Sequence, residues 1–356
     1  MIGTIVASTV VAAPVVAGLG YRKLRQRAAA KHLAITTPNG IAEERFERIG
    51  GVEQWIGIRG ENRDNPVLLV LHGGPGSPYS VFGRQLRTWE KHFTVVHWDR
   101  RGAGRTLRRN GKAGCGELTF EGMVDEAVEV TEFLRRHLDQ DKVILMAGSM
   151  GTLIGVPLAQ RRPDLFHALV TTDLYANMAA NEALSYRGTL ERARAAGHTR
   201  GVAALERIGA DPMAWSLRDW GVKQQWTMKT DPVDPGVLLR LILPSILTTP
   251  GYGLGDVQSW MAGFEYSKKQ MFDQWMAYDV RAGGTRFEVP FFVFQGEGDV
   301  LTLRGLAEEY FAEVDAPLKE LALIRDAGHF AAFSQPAQFL TELLDRVRPL
   351  ATRERV

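Results

Sequence analysis

A serine stands within a short run of small residues, Ala147-Gly148-Ser149-Met150-Gly151. An apolar stretch of strand length precedes the run, and a stretch with helical spacing follows it. A sharp turn from strand to helix presents a serine hydroxyl to a base and a substrate, and small neighbours let the backbone fold tightly there. Ser149 is therefore predicted to be a nucleophile, although a serine that caps a helix is also compatible with this pattern.

Two further residues have the types that activate a serine hydroxyl, and they follow Ser149 in the chain. Asp299 comes after the apolar run Phe291–Phe294, and an acid at the tip of a parallel strand faces the crevice where such sheets bind ligands. His329 lies in a Gly-His loop after the last predicted strand, a loop that Asp326 is expected to shape. The order serine, acid, histidine predicts a triad with His329 as general base and Asp299 as its orienting acid. Glu297 is the rival acid.

A glycine-rich loop, His72-Gly73-Gly74-Pro75-Gly76, follows another buried apolar run. Acyl transfer places negative charge on the carbonyl oxygen, which needs N–H donors already in position. We expect these donors to be the backbone N–H groups of Met150, next to the nucleophile, and of Gly74 in this loop. His72 is expected to brace the loop by hydrogen bonding. A phosphate-binding loop would need a Lys or the Gly-x-Gly-x-x-Gly spacing, and neither is present.

Together with the segment Asp99-Arg100-Arg101-Gly102-Ala103-Gly104-Arg105-Thr106, the glycine-rich loop and the serine turn resemble the prolyl iminopeptidase family of α/β-hydrolases. That family typically shows H-G-G-P-G, then D-Q-R-G-x-G-x-S, then a serine elbow G-G-S-x-G. The chain matches the order and approximate spacing over most of its length after Ala42. It departs from the family pattern at Arg100 (for Gln), at Thr106 (for Ser) and at Ala147 (for Gly).

The resemblance implies an α/β-hydrolase fold and removal of an N-terminal residue, often proline, from a peptide. Such a reaction requires carboxylates that grip the ammonium group of the substrate, and Glu182 and Glu265 are weak candidates. The triad also serves esterases, lipases and lactone hydrolases, so a carboxylesterase or lactone hydrolase remains an alternative. A non-hydrolytic small-molecule receptor or a biosynthetic cyclase on the same fold is a further alternative. The expected partner is a small molecule or a short peptide.

These residues need a scaffold that brings them together, and the hydrophobic pattern predicts one. From about residue 42, apolar runs of strand length alternate with helical patterns, which indicates a mostly parallel sheet with helices on both faces. Strands are predicted at 52–58, 67–71, 93–98, 142–147, 168–172, 287–295 and 319–324. Helices are predicted at 120–137, 152–161, 182–196, 201–209, 303–314 and 336–347.

The alternation stops between residues 175 and 285, where the sequence reads as helices rich in Trp, Met and Pro. This block is predicted to be a helical lid inserted into the hydrolase core. The core would then consist of residues 42–174 and 286–350.

Composition excludes several classes of function. The formal net charge is +2, without the basic excess that nucleic-acid binding requires. The chain has one cysteine, Cys115, assigned to a polar loop, so neither an internal disulfide nor a cysteine zinc site is possible. No spacing of paired histidines indicates a metal site, and the predicted chemistry needs no cofactor.

The N-terminal segment, residues 1–31, combines an apolar run with a basic flank. Residues 1–20 carry no charged side chain, and Arg22, Lys23 and Arg25 follow immediately. That length suits a membrane-spanning helix, and the basic flank would keep the catalytic domain in the cytoplasm. A packed helix and a cleaved signal peptide are the alternatives, with a cytoplasmic or a secreted protein as the result. The oligomeric state stays open.

Overall fold

The computed structural model describes residues 18–352. Eight strands form one sheet: β1 (Ile41–Ile49), β2 (Val52–Gly60), β3 (Val67–Leu71), β4 (Thr94–Asp99), β5 (Val143–Gly148), β6 (Phe166–Thr172), β7 (Phe291–Gly296) and β8 (Lys319–Ile324). Their order is β1-β2-β4-β3-β5-β6-β7-β8. The pairs β1–β2 and β2–β4 are antiparallel, and every later pair is parallel.

Helices cover both faces of the sheet and fill the interval between β6 and β7. The first described helix, α1, spans residues 18–32. The others are α2 (Gly104–Cys115), α3 (Phe120–Leu138), α4 (Thr152–Arg161), α5 (Met178–Ala195), α6 (Thr199–Ile208), α7 (Leu217–Lys229), α8 (Leu243–Thr248), α9 (Leu254–Met276), α10 (Arg304–Glu313), α11 (Ala331–Ser334), α12 (Pro336–Glu342) and α13 (Arg348–Thr352). One π-turn precedes α8 and another joins α12 to α13.

The central strands are continuous apolar runs because both of their faces are covered. All five residues of β3 are buried, as are all six of β5. Side chains from alternate positions of these strands enter two separate hydrophobic clusters, one on each face of the sheet. This arrangement brings the carboxyl ends of β3, β5, β6 and β7 to one edge of the sheet, where the predicted site residues follow them.

Two local assignments from the sequence were wrong, and one strand was missed. Cys115 lies buried at the end of α2 and not in a polar loop, because glycines obscure the helical pattern of a helix that is kinked at Gly111 (φ +68°). The strand predicted from residue 287 begins at Phe291, directly after Pro290, which has no N–H to give a neighbouring strand. The strand β1 was not predicted, since as an edge strand it carries many charged residues.

The interval between β6 and β7 contains the helices α5 to α9, which matches the predicted helical character of this part of the chain. The division of the chain into a core and a lid with bounds at 175 and 285 remains a prediction.

Most of the predicted membrane anchor, residues 1–17, lies outside the described residues. Between residues 18 and 352, no helix combines the length and the apolar character that crossing a bilayer requires. The helix α1 is tied to the end of α8 and to the segment that follows it. Arg22 donates to the carbonyl oxygens of Leu247 (3.0 Å) and Tyr252 (2.7 Å), and Gln26 donates to that of Thr249 (2.9 Å).

Candidate active site

Ser149 sits on a single tight turn between β5 and α4. Its backbone is left-handed, with φ +53°, a conformation that is strained for a residue other than glycine. The turn is close to the neighbouring strand end: a Cβ on Gly151 would lie 2.5 Å from the carbonyl oxygen of Leu71. A serine that serves only as a helix cap has no need of this conformation, because cap residues are extended.

Ala147, where the family pattern has glycine, is accommodated by a second glycine. A Cβ on Gly155, one turn into α4, would lie 2.5 Å from the Cβ of Ala147. The methyl group of Ala147 thus fills the space that a side chain at position 155 would need. The departure from the family pattern leaves the turn intact for this reason.

His329 joins Ser149 to Asp299 in one hydrogen-bonded chain. The Nε2 atom of His329 lies 3.0 Å from Oγ of Ser149, and its Nδ1 atom lies 3.0 Å from Oδ2 of Asp299. All three residues are buried. The structure therefore places together the three residues that the sequence assigned to a triad. The rival acid, Glu297, is exposed.

The carboxylate of Asp299 is held by the loop that follows it. Its Oδ1 atom accepts hydrogen bonds from the backbone N–H groups of Leu301 (2.8 Å) and Thr302 (2.9 Å). Its Oδ2 atom accepts from the amide of Gln295 at 3.1 Å and from the hydroxyl of Thr302. Four donors therefore fix the side chain that orients His329.

Asp173 is a site residue that the sequence reasoning missed. It follows the end of β6, has a left-handed backbone (φ +53°) and is buried. A carboxylate oxygen of Asp173, a carboxylate oxygen of Asp299 and a ring nitrogen of His329 lie within 4.8 Å of one another. The Oδ1 atom of Asp173 has no hydrogen-bond partner among the described residues. An acid at the tip of a parallel strand is the signal that identified Asp299, and the same signal was available for Asp173.

Burial and the neighbouring carboxylates shift the pKa of His329 in opposite directions. Burial favours its neutral form, but the carboxylates of Asp299 and Asp173 outweigh burial and raise the pKa of His329 to about 9. Burial raises the pKa of Asp173 well above its ordinary value, and the negative charge of Asp299 adds to this rise while His329 opposes it. His329 and Asp173 therefore influence each other's protonation.

These three residues also have the types that ligate metals. However, both oxygens of Asp299 already accept hydrogen bonds, and both nitrogens of His329 have partners in Ser149 and Asp299. A metal ion would have to break this chain of hydrogen bonds, so the residues fit proton transfer better than metal binding.

The glycine-rich loop packs directly on the serine turn. A Cβ on Gly73 would lie 2.8 Å from the Cβ of Ser149, and Gly74 has φ +122°, which only glycine adopts readily. The ring of His72 braces this loop: Nδ1 lies 2.9 Å from the carbonyl oxygen of Gly73, and Nε2 faces the backbone N–H of Arg100 at 3.4 Å. The roles of Gly74 and Met150 as oxyanion donors stay a prediction.

The second motif, around Asp99, holds the end of β4 against α2. Asp99 accepts hydrogen bonds from the hydroxyl of Ser80 (3.0 Å) and the backbone N–H of Arg105 (2.9 Å). Thr106 keeps the hydroxyl of the family's serine, because its Oγ1 donates to the carbonyl of Asp99 and accepts from the N–H of Trp55. This motif therefore has a structural role, because it fixes the end of β4 to the start of α2.

The two carboxylates proposed to bind a substrate ammonium group are both paired within the chain. Glu182 on α5 lies 2.8 Å from the ammonium group of Lys223 on α7, and neither side chain is exposed to solvent. Glu265 lies 2.7 Å from Lys268, with 68% of its side chain exposed. Each carboxylate would have to exchange its lysine partner for a substrate.

The comparison with known families agrees with this geometry. Residues 66–336 match the model of the alpha/beta hydrolase fold. The chain belongs to this family. This match confirms the predicted α/β-hydrolase fold and the prediction of a hydrolase. The curated relatives described next confirm the relationship to prolyl iminopeptidases.

Two curated relatives of this α/β-hydrolase are named as peptidases. The probable aminopeptidase YbaC of Bacillus subtilis (strain 168) is 26% identical over 84% of the chain and 94% of its own length. A probable proline iminopeptidase of Streptomyces coelicolor is 30% identical over 50% of the chain and 58% of its own length.

Solved structures resemble the α/β-hydrolase in fold at low sequence identity. A bacterial membrane phospholipase A superposes with a TM-score of 0.62 at 18% identity, covering 97% of this chain and 98% of its own. A proline iminopeptidase-related protein from Thermus thermophilus gives a TM-score of 0.57 at 19% identity, covering 87% and 99%. These likenesses establish the fold alone.

Proposed function

We propose that this α/β-hydrolase is a serine hydrolase that forms an acyl-enzyme on Ser149. The observation that carries the proposal is the unbroken hydrogen-bonded chain from Ser149 through His329 to Asp299, on a turn that holds Ser149 in a strained conformation. Strain of this kind is typical of a residue whose position is set by chemistry.

In the proposed mechanism, Nε2 of His329 takes the proton from Oγ of Ser149 as Oγ attacks the substrate carbonyl. The N–H groups of Gly74 and Met150 receive the negative charge on the carbonyl oxygen. His329 then gives the proton to the leaving group, and the acyl-enzyme forms. Water, deprotonated by His329, releases the acid in the second half of the reaction, while Asp299 stabilises the imidazolium each time.

The first substrate class that we propose is a peptide with a free N-terminal residue such as proline, or another amide. The three matching motifs and the two relatives named as peptidases support this class. Binding of the substrate ammonium group would require a carboxylate near the serine, with Glu182 and Glu265 as the sequence candidates.

The second substrate class is an ester or a lactone with a small apolar acyl group. The observation in its favour is that Glu182 and Glu265 both hold lysines of the chain itself, so neither presents a free carboxylate to an ammonium group. An ester substrate needs no such group.

The test compares two chromogenic substrates, proline p-nitroanilide and p-nitrophenyl butyrate, with purified protein. Replacement Ser149→Ala is expected to reduce turnover by about 10⁴-fold or more, because the nucleophile is lost. Ser216→Ala, which removes an exposed serine at the start of α7, is the matched control and should keep activity.

Turnover of the anilide that stops when its amine is acetylated would identify an aminopeptidase. Turnover of the ester alone would identify an esterase. Activity that survives in Ser149→Ala contradicts the proposed mechanism, and silence on both substrates favours a receptor or a biosynthetic cyclase.

A further inference from the structure

Arg100 is a buried cation beside the glycine-rich loop, with only 3% of its surface exposed. Its Nη2 atom lies 3.4 Å from the carbonyl oxygen of Gly73 and 3.2 Å from Nδ1 of His72. Its Nε and Nη1 atoms are buried and have no hydrogen-bond partner among the described residues. A guanidinium group carries five N–H donors, so most of its capacity at this site is unused.

His72 does not neutralise this charge. The backbone N–H of Arg100 faces Nε2 of His72, and Nδ1 of the ring lies against the carbonyl oxygen of Gly73. Burial lowers the pKa of His72 well below its ordinary value, and the charge of Arg100 lowers it further. The ring is therefore neutral.

An acidic residue that acts on Arg100, Glu126, is also engaged elsewhere. The carboxylate of Glu126 attracts Arg100 through space, but it forms its ion pair with Arg101, the next residue. Burial lowers the pKa of Arg100 to about 10, which still leaves the group charged at neutral pH. Among the described residues, Arg100 therefore forms no ion pair with Glu126.

This charge lines a cavity that the predicted oxyanion donor Met150 also lines. Arg100 and Met150 line the same small cavity, about 10 Å³ in volume, together with residues of the glycine loop and with Ser267 and Met271 of α9. That volume is close to what one water molecule requires. Gly73, which Arg100 contacts, packs on Ser149 itself. A ligand larger than water would enter only if α9 moved away from the glycine loop.

A buried charge without a partner is costly, and proteins compensate such charges with an ion pair or a bound ligand. The glutamine that the related family has at this position is neutral. A guanidinium group binds carboxylates through its N–H groups, and the unpartnered Nε and Nη1 atoms of Arg100 each have N–H groups to donate.

We propose that Arg100 binds a carboxylate group of the substrate, close to the carbonyl that Ser149 attacks. This proposal rests on the proposed hydrolase function and narrows it to amides or esters that carry a carboxylate. The carboxylate belongs either to the acyl part of the substrate or to its leaving group.

Two pairs of substrates distinguish these sources. For the acyl part, the mono-p-nitrophenyl ester of adipic acid is compared with its methyl ester, which lacks the negative charge. For the leaving group, the dipeptide Pro-Gly is compared with its C-terminal amide. We expect kcat/KM to be about 10- to 100-fold higher for the anionic member of one pair, as suits a hydrogen-bonded charge pair. Equal values within both pairs would overturn the proposal.

Arg100→Gln, which introduces the family's residue, is expected to abolish that preference and to leave the neutral member within about threefold of its original rate. Arg100→Lys should keep part of the preference, because it keeps the charge. Arg109→Gln, which removes an exposed arginine, is the matched control. An equal loss on both members would mean that Arg100 supports the glycine loop and does not bind the substrate, and would overturn the proposal.

A binding measurement separates failure of this proposal from failure of the proposed function. If no ester or peptide is turned over, the melting temperature is measured with adipate and with adipamide. Adipate alone should raise Tm in the original protein and not in Arg100→Gln. The same shift in both proteins, or no shift in either, would overturn the carboxylate site whatever the protein's activity. If Arg100→Gln does not fold, the proposal is tested by the substrate pairs with the original protein and by the preference that Arg100→Lys keeps.

Discussion

At the scale of single residues, the site differs from a simple triad because two carboxylates act on one imidazole. Asp299 is held by four donors, whereas Asp173 has a buried oxygen without a partner among the described residues. Asp299 is therefore the better orienting group. When Asp173 is ionised, its charge favours the protonated imidazole of His329, although burial raises the pKa of Asp173 itself.

This difference predicts the effect of Asp173→Asn on the pH profile. Ser149 needs a neutral His329, so activity rises as the pH passes upward through the pKa of His329. Burial lowers this pKa, but the carboxylates of Asp299, Asp173 and Asp231 outweigh burial and raise it to about 9. Removing the charge at position 173 should lower it and move the rise in kcat/KM to lower pH by about one unit or more.

The control is Asp326→Asn, which changes an exposed acid in the loop before His329. Its pH profile should stay in place. A profile that does not move in Asp173→Asn would show that Asp173 is already protonated in the free protein, contrary to this expectation.

At the scale of elements, the serine turn depends on how closely α4 approaches β5. Gly155 provides that approach, because a Cβ there would lie 2.5 Å from the Cβ of Ala147. The same contact explains how the chain keeps a strained serine turn with alanine at the first position of the motif.

Gly155→Ala is therefore expected to destabilise the protein by about 1–3 kcal/mol through overpacking, despite the better helix propensity of alanine. Adding Ala147→Gly should restore most of this loss, because it removes the methyl group that the new side chain meets. Unfolding in denaturant measures both free energies. If the effects of the two substitutions simply add, the contact does not limit the approach of α4.

At the scale of the whole molecule, the helix α1 joins the catalytic unit to residues 1–17. The basic residues of α1 lie next to the apolar run, and Arg22 is already bound to carbonyls at the end of α8 and in the segment that follows it. An anchor in residues 1–20 would therefore hold the chain around Leu247 and Tyr252 near the membrane surface. We propose this anchor from the sequence alone.

Fractionation of cells tests the anchor. The full chain is expected in the membrane fraction, and a variant without residues 1–17 in the supernatant, with unchanged specific activity. The deletion leaves Arg22 and Gln26 with their partners, so it serves as its own folding control. Equal partitioning of both proteins would contradict an anchor in this segment.

The sequence by itself determined the fold class and the residues that lie together at the site. It did so because strand–helix alternation and the tight turn around Ser149 are local patterns that few folds accommodate. The buried runs β3 and β5 and the positions of Ser149, Asp299 and His329 could all be read in this way. The strand β1 and the helix α2 could not, since charges at a sheet edge and glycines within a helix hide the periodicity.

Only the tertiary structure decided which charges are free. The pairing of Glu182 with Lys223 could not be read from the sequence, and Asp173 and Arg100 drew no attention as charged groups until their surroundings were known. Whether a carboxylate or a guanidinium group has a partner depends on residues far away in the chain. Burial increases the cost of a missing partner, because a charge without a partner costs far more free energy inside the protein than in water.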